Sequence, residues 1–118
     1  MLGDKDFAAL FSPGSRAEVP IVGTLGDRRV VGQVDRLAVT QDAILIADFK
    51  TSRNPPRIEE VPDSYVRQLA AYRAVLMKLY PDRLVRAALI WTEVPDLIEL
   101  SPAVLGRALA DHVAARAP

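Results

Sequence analysis

Ala43-Ile44-Leu45-Ile46-Ala47-Asp48-Phe49-Lys50 is the stretch on which the reading of this chain turns. An unbroken aliphatic run bounded by turn residues reads as a buried strand. This one runs straight into a carboxylate and an ammonium two positions apart. Side chains alternate faces along a strand, so Asp48 and Lys50 point the same way. Charges at the end of a buried strand cost free energy unless they pair, hold a metal or do chemistry.

Upstream, Arg29 to Val39 reads as a longer strand that carries Gly32-Gln33-Val34-Asp35, and Thr40-Gln41-Asp42-Ala43 reads as a short hairpin connection. If Gln41-Asp42 is a two-residue loop, Thr40 pairs with Ala43. Asp35 then lies opposite Asp48 on the same face, and Gln33 opposite Lys50. A three-residue loop would shift the register by one and leave the two carboxylates diagonal. Like charges directly opposed are destabilising, so something positive is expected between them. Lys50 is one candidate and a divalent cation the other.

The rest of the chain supplies the frame. Asp4 to Phe11 reads as a short helix capped by Asp4, and Arg16 to Val22 as a strand turned by Gly23 to Asp27. Thr51 to Pro62 is polar and rich in proline and arginine, hence loop. Asp63 or Ser64 caps a helix that runs to about Tyr80 and stops at Pro81-Asp82. Leu84 to Thr92 reads as an internal strand, Glu93 to Asp96 as a turn, and Leu97 to Leu100 as a short edge strand. Ser101-Pro102 opens the last helix with a cap-then-proline signature. Helix, three strands in a meander, helix, two strands, helix is an α/β or α+β layer with a mixed sheet.

Composition sets the outer limits. A chain of 118 residues, 50% hydrophobic and 25% charged, is expected to form a single globular domain over residues 1–118. Fifteen basic residues balance fifteen acidic ones, which gives nucleic-acid binding no global support and leaves it to a local patch. The absence of cysteine removes disulfides, thiolate metal sites and cysteine catalysis together. No apolar stretch approaches a membrane span and no signal pattern opens the chain, so the expected compartment is the cytoplasm. The one histidine, His112, sits in what reads as the C-terminal helix and is taken as a solvated or dipole-stabilised residue.

Two aspartates beside a lysine suit a hard cation. Magnesium and manganese take carboxylate, carbonyl and water oxygens, and a lysine nearby would orient a bound water or stabilise transition-state charge. A lysine that simply neutralises two aspartates is the alternative, and spacing alone leaves both open. In the helix after the loop, Tyr65, Leu69, Tyr72, Leu76 and Leu79 follow helical spacing and read as its buried stripe. Gln68 falls within that stripe, four residues before Tyr72, so both share a face. It is either a satisfied core glutamine or half of a pair reaching toward a metal water or a substrate phosphate.

Taken in order, Ala17-Glu18-Val19-Pro20, Gly32-x-x-Asp35, Asp48-x-Lys50-Thr51 and Gln68-x-x-x-Tyr72 resemble the PD-(D/E)XK nucleases of the RecB type. Within that group the likeness runs to the C-terminal nuclease domain of the AddA type, part of a bacterial helicase–nuclease that acts in double-strand-break repair. The specific motifs lie between Gly32 and Tyr80, and the flanking strands look similar too. The resemblance implies a restriction-endonuclease-like mixed sheet flanked by helices, and Mg2+- or Mn2+-dependent exonucleolytic hydrolysis of DNA phosphodiesters. It further implies that Asp35, Asp48 and the Phe49 carbonyl hold the metal, that Lys50 positions or activates the attacking water, and that Gln68 and Tyr72 support the site and the DNA strand. Glu18 is either an accessory acid near the metal or a surface residue of its strand.

The chain departs from that pattern in two respects. Nucleases of this type usually bring a further ligand, often histidine, from a helix upstream of the Glu18 strand; it is not present, and His112 does not match it in position. No Gly-rich phosphate loop is present either, so no ATP-driven helicase function belongs to these residues. The expectation is therefore an N-terminally truncated piece of a larger helicase–nuclease, whose partners are DNA, the rest of the parent protein and its partner subunit. Exposed apolar surface on such a piece would favour self-association. DNA contact is expected from the basic loop after the metal strand, through Thr51, Ser52, Arg53 and Arg57, with Arg67 and Arg73 extending the surface. The rival expectation is a catalytically incomplete, nuclease-like DNA-binding or interaction module.

Overall fold

The computed structural model describes residues 5–51, 56–57, 60–92 and 96–116, with side chains described from residue 7 to residue 110 within those spans. Its centre is one five-stranded sheet of β1 (Arg16–Leu25), β2 (Arg28–Val39), β3 (Ala43–Lys50), β4 (Leu84–Trp91) and β5 (Asp96–Leu100), ordered as they occur in the chain. β1, β2 and β3 form an antiparallel meander, and β5 returns antiparallel on β4. β3 and β4 are parallel, which requires a crossover, and α1 (Asp63–Leu79) supplies it. The fold is thus a mixed α+β sheet of the restriction-endonuclease-like kind.

β3 is the middle strand and is covered on both faces, which is why its sequence is aliphatic without interruption. Ile44 and Ile46 pack beneath α1 and α2 (Pro102–Arg116), together with Leu69, Tyr72, Val75 and Leu105. Leu45 and Ala47 face the other way, onto Phe7 and Leu10 of a 3-10 helix at Lys5–Phe11. By the same alternation Asp48 and Lys50 continue the α1 face.

Three details differ from the sequence reading. Pro62, not Asp63 or Ser64, occupies the N-cap of α1, and no side chain caps the helix. The buried stripe of α1 is Val66, Leu69, Ala70, Tyr72, Val75 and Leu76, whereas Leu79 is 63% exposed and Gln68 stands at the exposed rim. α1 is rotated relative to the expected stripe because Val75 must fill the space over Gly23, where an added Cβ would lie 2.7 Å from Val75 Cγ1. Finally, β1 runs on to Leu25 rather than ending at Val22. At α2 the expected cap is present: Val104 N–H donates to Ser101 Oγ at 3.2 Å.

Candidate functional site

The two-residue hairpin holds. Thr40 N–H donates to Ala43 O at 2.8 Å, and the ladder continues from Val39↔Ile44 to Arg36↔Ala47. The next pair in that register is Asp35 against Asp48, and there the ladder stops. Side chains take over the backbone groups: Phe49 N–H donates to Asp35 Oδ2 at 2.7 Å, and Asp35 N–H donates to Asp48 Oδ1 at 3.4 Å. Beyond this point β2 pairs only with β1, and β3 only with β4. The expected opposition of Gln33 and Lys50 therefore does not form, and Gln33 is paired only on its other side, with Pro20 of β1. The sheet forks, with one aspartate on each arm.

The fork has a visible cause. Leu37 packs on the α1 face, so strict alternation would carry Asp35 and Gln33 there too. Instead Val34 is fully buried on that face and Gly32 lies beneath Tyr72, so the phase of β2 slips by one residue at Asp35. The residue that faces Asp35 in the β1 register is Glu18, which is missing from the ladder and has φ 53. A left-handed glutamate inside a strand costs on the order of 1–3 kcal/mol. Both strands change phase together, and Asp35 is turned out of its own ladder to reach the Phe49 amide.

Asp48 is 5% exposed and is the one charged residue in the core among the described residues. Burial raises its pKa, and the neighbouring charge of Asp35 raises it further; the Asp35 amide and the charge of Lys50 act the other way. Lys50 does not bridge the carboxylates. Its Nζ stands 3.9 Å from the centroid of the Tyr65 ring, and among the described residues no ion pair or hydrogen bond joins it to either aspartate. Tyr65, half-buried against the core where spacing placed it, also serves Lys50, a cation–π contact of about 0.5–2 kcal/mol. A hollow of about 360 Å³ opens beside it, between Lys50, Thr51, Glu60, Tyr65 and Trp91.

Gly32 and Tyr72 explain each other. A Cβ on Gly32 would stand 2.0 Å from Tyr72 Oη, so only glycine lets the ring lie on β2. Gln68 Nε2 then donates to Tyr72 Oη at 3.1 Å. The Gly32 and Gln68–Tyr72 motifs are therefore one packing unit that seats α1 over the fork. Phe49 adds a backbone oxygen: in a strand the N–H and C=O of one residue point to the same side, and the Phe49 N–H points at Asp35.

Other expected site residues stand apart. Glu18 is exposed, and among the described residues no three acidic or histidine side chains converge on a common point. Thr51 and Arg57 are exposed, while Ser52 and Arg53 lie outside the described residues, as does the side chain of His112. Arg73 Nε is committed to Val85 O at 3.2 Å, on the inner side of α1. The fit to a divalent cation rests on the donor set: two juxtaposed carboxylates, one buried, with no cationic side chain of the described residues paired to them.

A mixed sheet with its middle strand buried on both faces and two aspartates at a fork under the crossover helix defines a restriction-endonuclease-like domain. The sequence model of the PD-(D/E)XK nuclease superfamily matches residues 6–116, and the chain belongs to that superfamily. The superfamily is one of nucleases, which generally use divalent metal ions. Among solved structures, one described as "Crystal structure of SSO0001" is similar at TM-score 0.49 and 16% identity, covering 94% of this chain and 55% of that one. This chain thus spans about half the length of that protein's chain. No curated protein matches. Among the described residues no helix is long and apolar enough to cross a membrane.

Proposed function

We propose that residues 1–118 form a nuclease domain that hydrolyses DNA phosphodiesters with a Mg2+ or Mn2+ held by Asp35, Asp48 and the Phe49 carbonyl. The observation that carries this reading is the pair of carboxylates brought together at the fork with Lys50 drawn aside onto Tyr65. An arrangement built for neutralisation would close Lys50 onto the aspartates. When bound, the metal supplies Lewis-acid stabilisation at the phosphoryl oxygens and a more acidic water. Lys50, on the same face as Asp48 and held on the Tyr65 ring, orients the attacking water and balances charge that develops on the phosphate. Gln68 and Tyr72 hold α1 against β2 and so fix the spacing of the fork. Thr51, Ser52, Arg53 and Arg57 contact the DNA backbone without reading sequence.

The finer assignment follows the resemblance of the motif set to the AddA-type nuclease domain. We place the activity in exonucleolytic end processing during bacterial double-strand-break repair, within a larger cytoplasmic helicase–nuclease and with its partner subunit. Cleavage of linear single- and double-stranded DNA with Mg2+ or Mn2+ tests this. Wild type is expected to degrade DNA from ends, and Asp48→Ala and Lys50→Ala to lose at least about 100-fold in kcat with folding intact, the scale of one electrostatic or acid–base group.

One observation favours a second reading. Glu18 does not converge with the two aspartates, so no third ligating side chain completes the site among the described residues. A nuclease-like module that binds DNA without turnover fits that geometry. Metal-independent DNA binding with no cleavage by the protein in its full-length context decides for it.

A further inference from the structure

The first half of α1, where it passes the start of β2, carries a feature that the carboxylate site does not use. Arg28 and Arg29 at the start of β2, and Arg67 on α1, line one hollow of about 360 Å³ with Ser64, Gln68 and Tyr72. No carboxylate lines it, and among the described residues none of the three arginines makes an ion pair or a hydrogen bond. Arg29 and Arg67 are exposed and Arg28 is half-buried. In a chain whose charges balance, three unpartnered guanidinium groups around one hollow form a local positive site. Guanidinium donors match phosphate oxygens two at a time, and the Ser64 hydroxyl and the Gln68 amide add neutral donors of the kind that contact phosphate and sugar.

The hollow is tied to the fork through one residue pair. Gln68 lines it and donates to Tyr72 Oη, and Tyr72 lies on Gly32 of β2. From Arg29 the strand runs six residues to Asp35, roughly 20 Å at about 3.3 Å per residue. That is about the length of six stacked nucleotides at about 3.4 Å each. Along the first turns of α1, Ser64, Arg67 and Gln68 line the hollow beside the start of β2, while Tyr65 meets Lys50.

We infer that the Arg28, Arg29 and Arg67 hollow is a docking subsite for the sugar–phosphate backbone of the DNA strand under cleavage, about six nucleotides from the scissile bond. It rests on the nuclease reading for its substrate, but its test does not depend on turnover. The hollow holds phosphate by charge and carries no exposed aromatic face for base stacking, so its contribution is independent of sequence and sensitive to salt.

Binding of a fluorescein-labelled 20-nucleotide single strand in EDTA, followed by anisotropy at several salt concentrations, is the test. In Arg28→Gln/Arg29→Gln/Arg67→Gln the expected result is a loss of affinity of about tenfold or more. The slope of log affinity against log salt should fall by about 2, since each phosphate contact on a single strand contributes about 0.7. The advantage of a 20-nucleotide over a 4-nucleotide strand should shrink by a similar factor, and the triple arginine-to-lysine variant should recover the salt slope. The exposed singles Arg29→Gln and Arg67→Gln carry the same test, each with about a third of the slope change, if the triple variant does not fold. Unchanged affinity and slope in the folded variants overturn the subsite. Absence of metal-dependent cleavage in every form, with these binding changes present, sinks the nuclease reading and leaves the subsite standing.

Discussion

Asp48 is the residue on which stability and chemistry pull in opposite directions. Burial and the charge of Asp35 both hold its pKa above the ordinary carboxylate value, so its ionised form costs the metal-free fold stability. The folded state binds that proton more tightly than the unfolded chain. The contribution of Asp48 therefore becomes less favourable as pH rises from the ordinary carboxylate value to the raised one, and the full cost is present above it. Asp48→Asn is expected to melt higher than wild type at neutral pH in EDTA. The difference between the two should shrink as the pH is lowered through that window, as followed by circular dichroism. An Asp48→Asn variant that melts lower at every pH would contradict the assignment. That Asp48 and Lys50 share a face was legible from alternation alone. That Lys50 would stack on Tyr65 was not, because the contact joins β3 to α1 across a loop and leaves no local signature.

At the scale of elements, the fork is made by a phase slip that both strands share. Its trace was present in the sequence. Val34 and Leu37 are both buried under α1, yet they are an odd number of positions apart, which strict alternation forbids. The hairpin register was readable because two turn residues, Gln41 and Asp42, fix it. The left-handed Glu18 was not, since nothing in Ala17-Glu18-Val19 calls for a positive φ. Gly32 could have been read as a point of close approach, because glycine within a strand often marks one. Its role yields a direct prediction. Gly32→Ala drives a methyl group into Tyr72, with Cζ and Cε1 also under 3 Å, and should destabilise the fold by about 1–3 kcal/mol in denaturant melts. In a Tyr72→Leu background the same change should cost clearly less, and the coupling measures the contact. Additive costs would mean that the two residues do not meet.

For the whole molecule, a balanced net charge directs attention to local fields, and the fork is the most sharply defined of them. Metal binding to the folded state alone raises stability by about 2.7 kcal/mol at a hundredfold excess over Kd. Wild type is therefore expected to melt higher in Mn2+ than in EDTA, while Asp35→Asn and Asp48→Asn show little or no gain. The order of strands and helices, and the sheet's mixed character, were legible because turn residues punctuate every element. The finer geometry of α1 was not, since Val75 over Gly23 and Tyr72 over Gly32 set its rotation through contacts distant in sequence. The most direct test of the central claim is a Mn2+ titration followed by electron paramagnetic resonance on wild type, Asp35→Asn and Asp48→Asn. Wild type is expected to show a saturable site that is weakened at least tenfold in each variant. Wild-type binding that survives both substitutions, or no binding in the folded wild type, would contradict it.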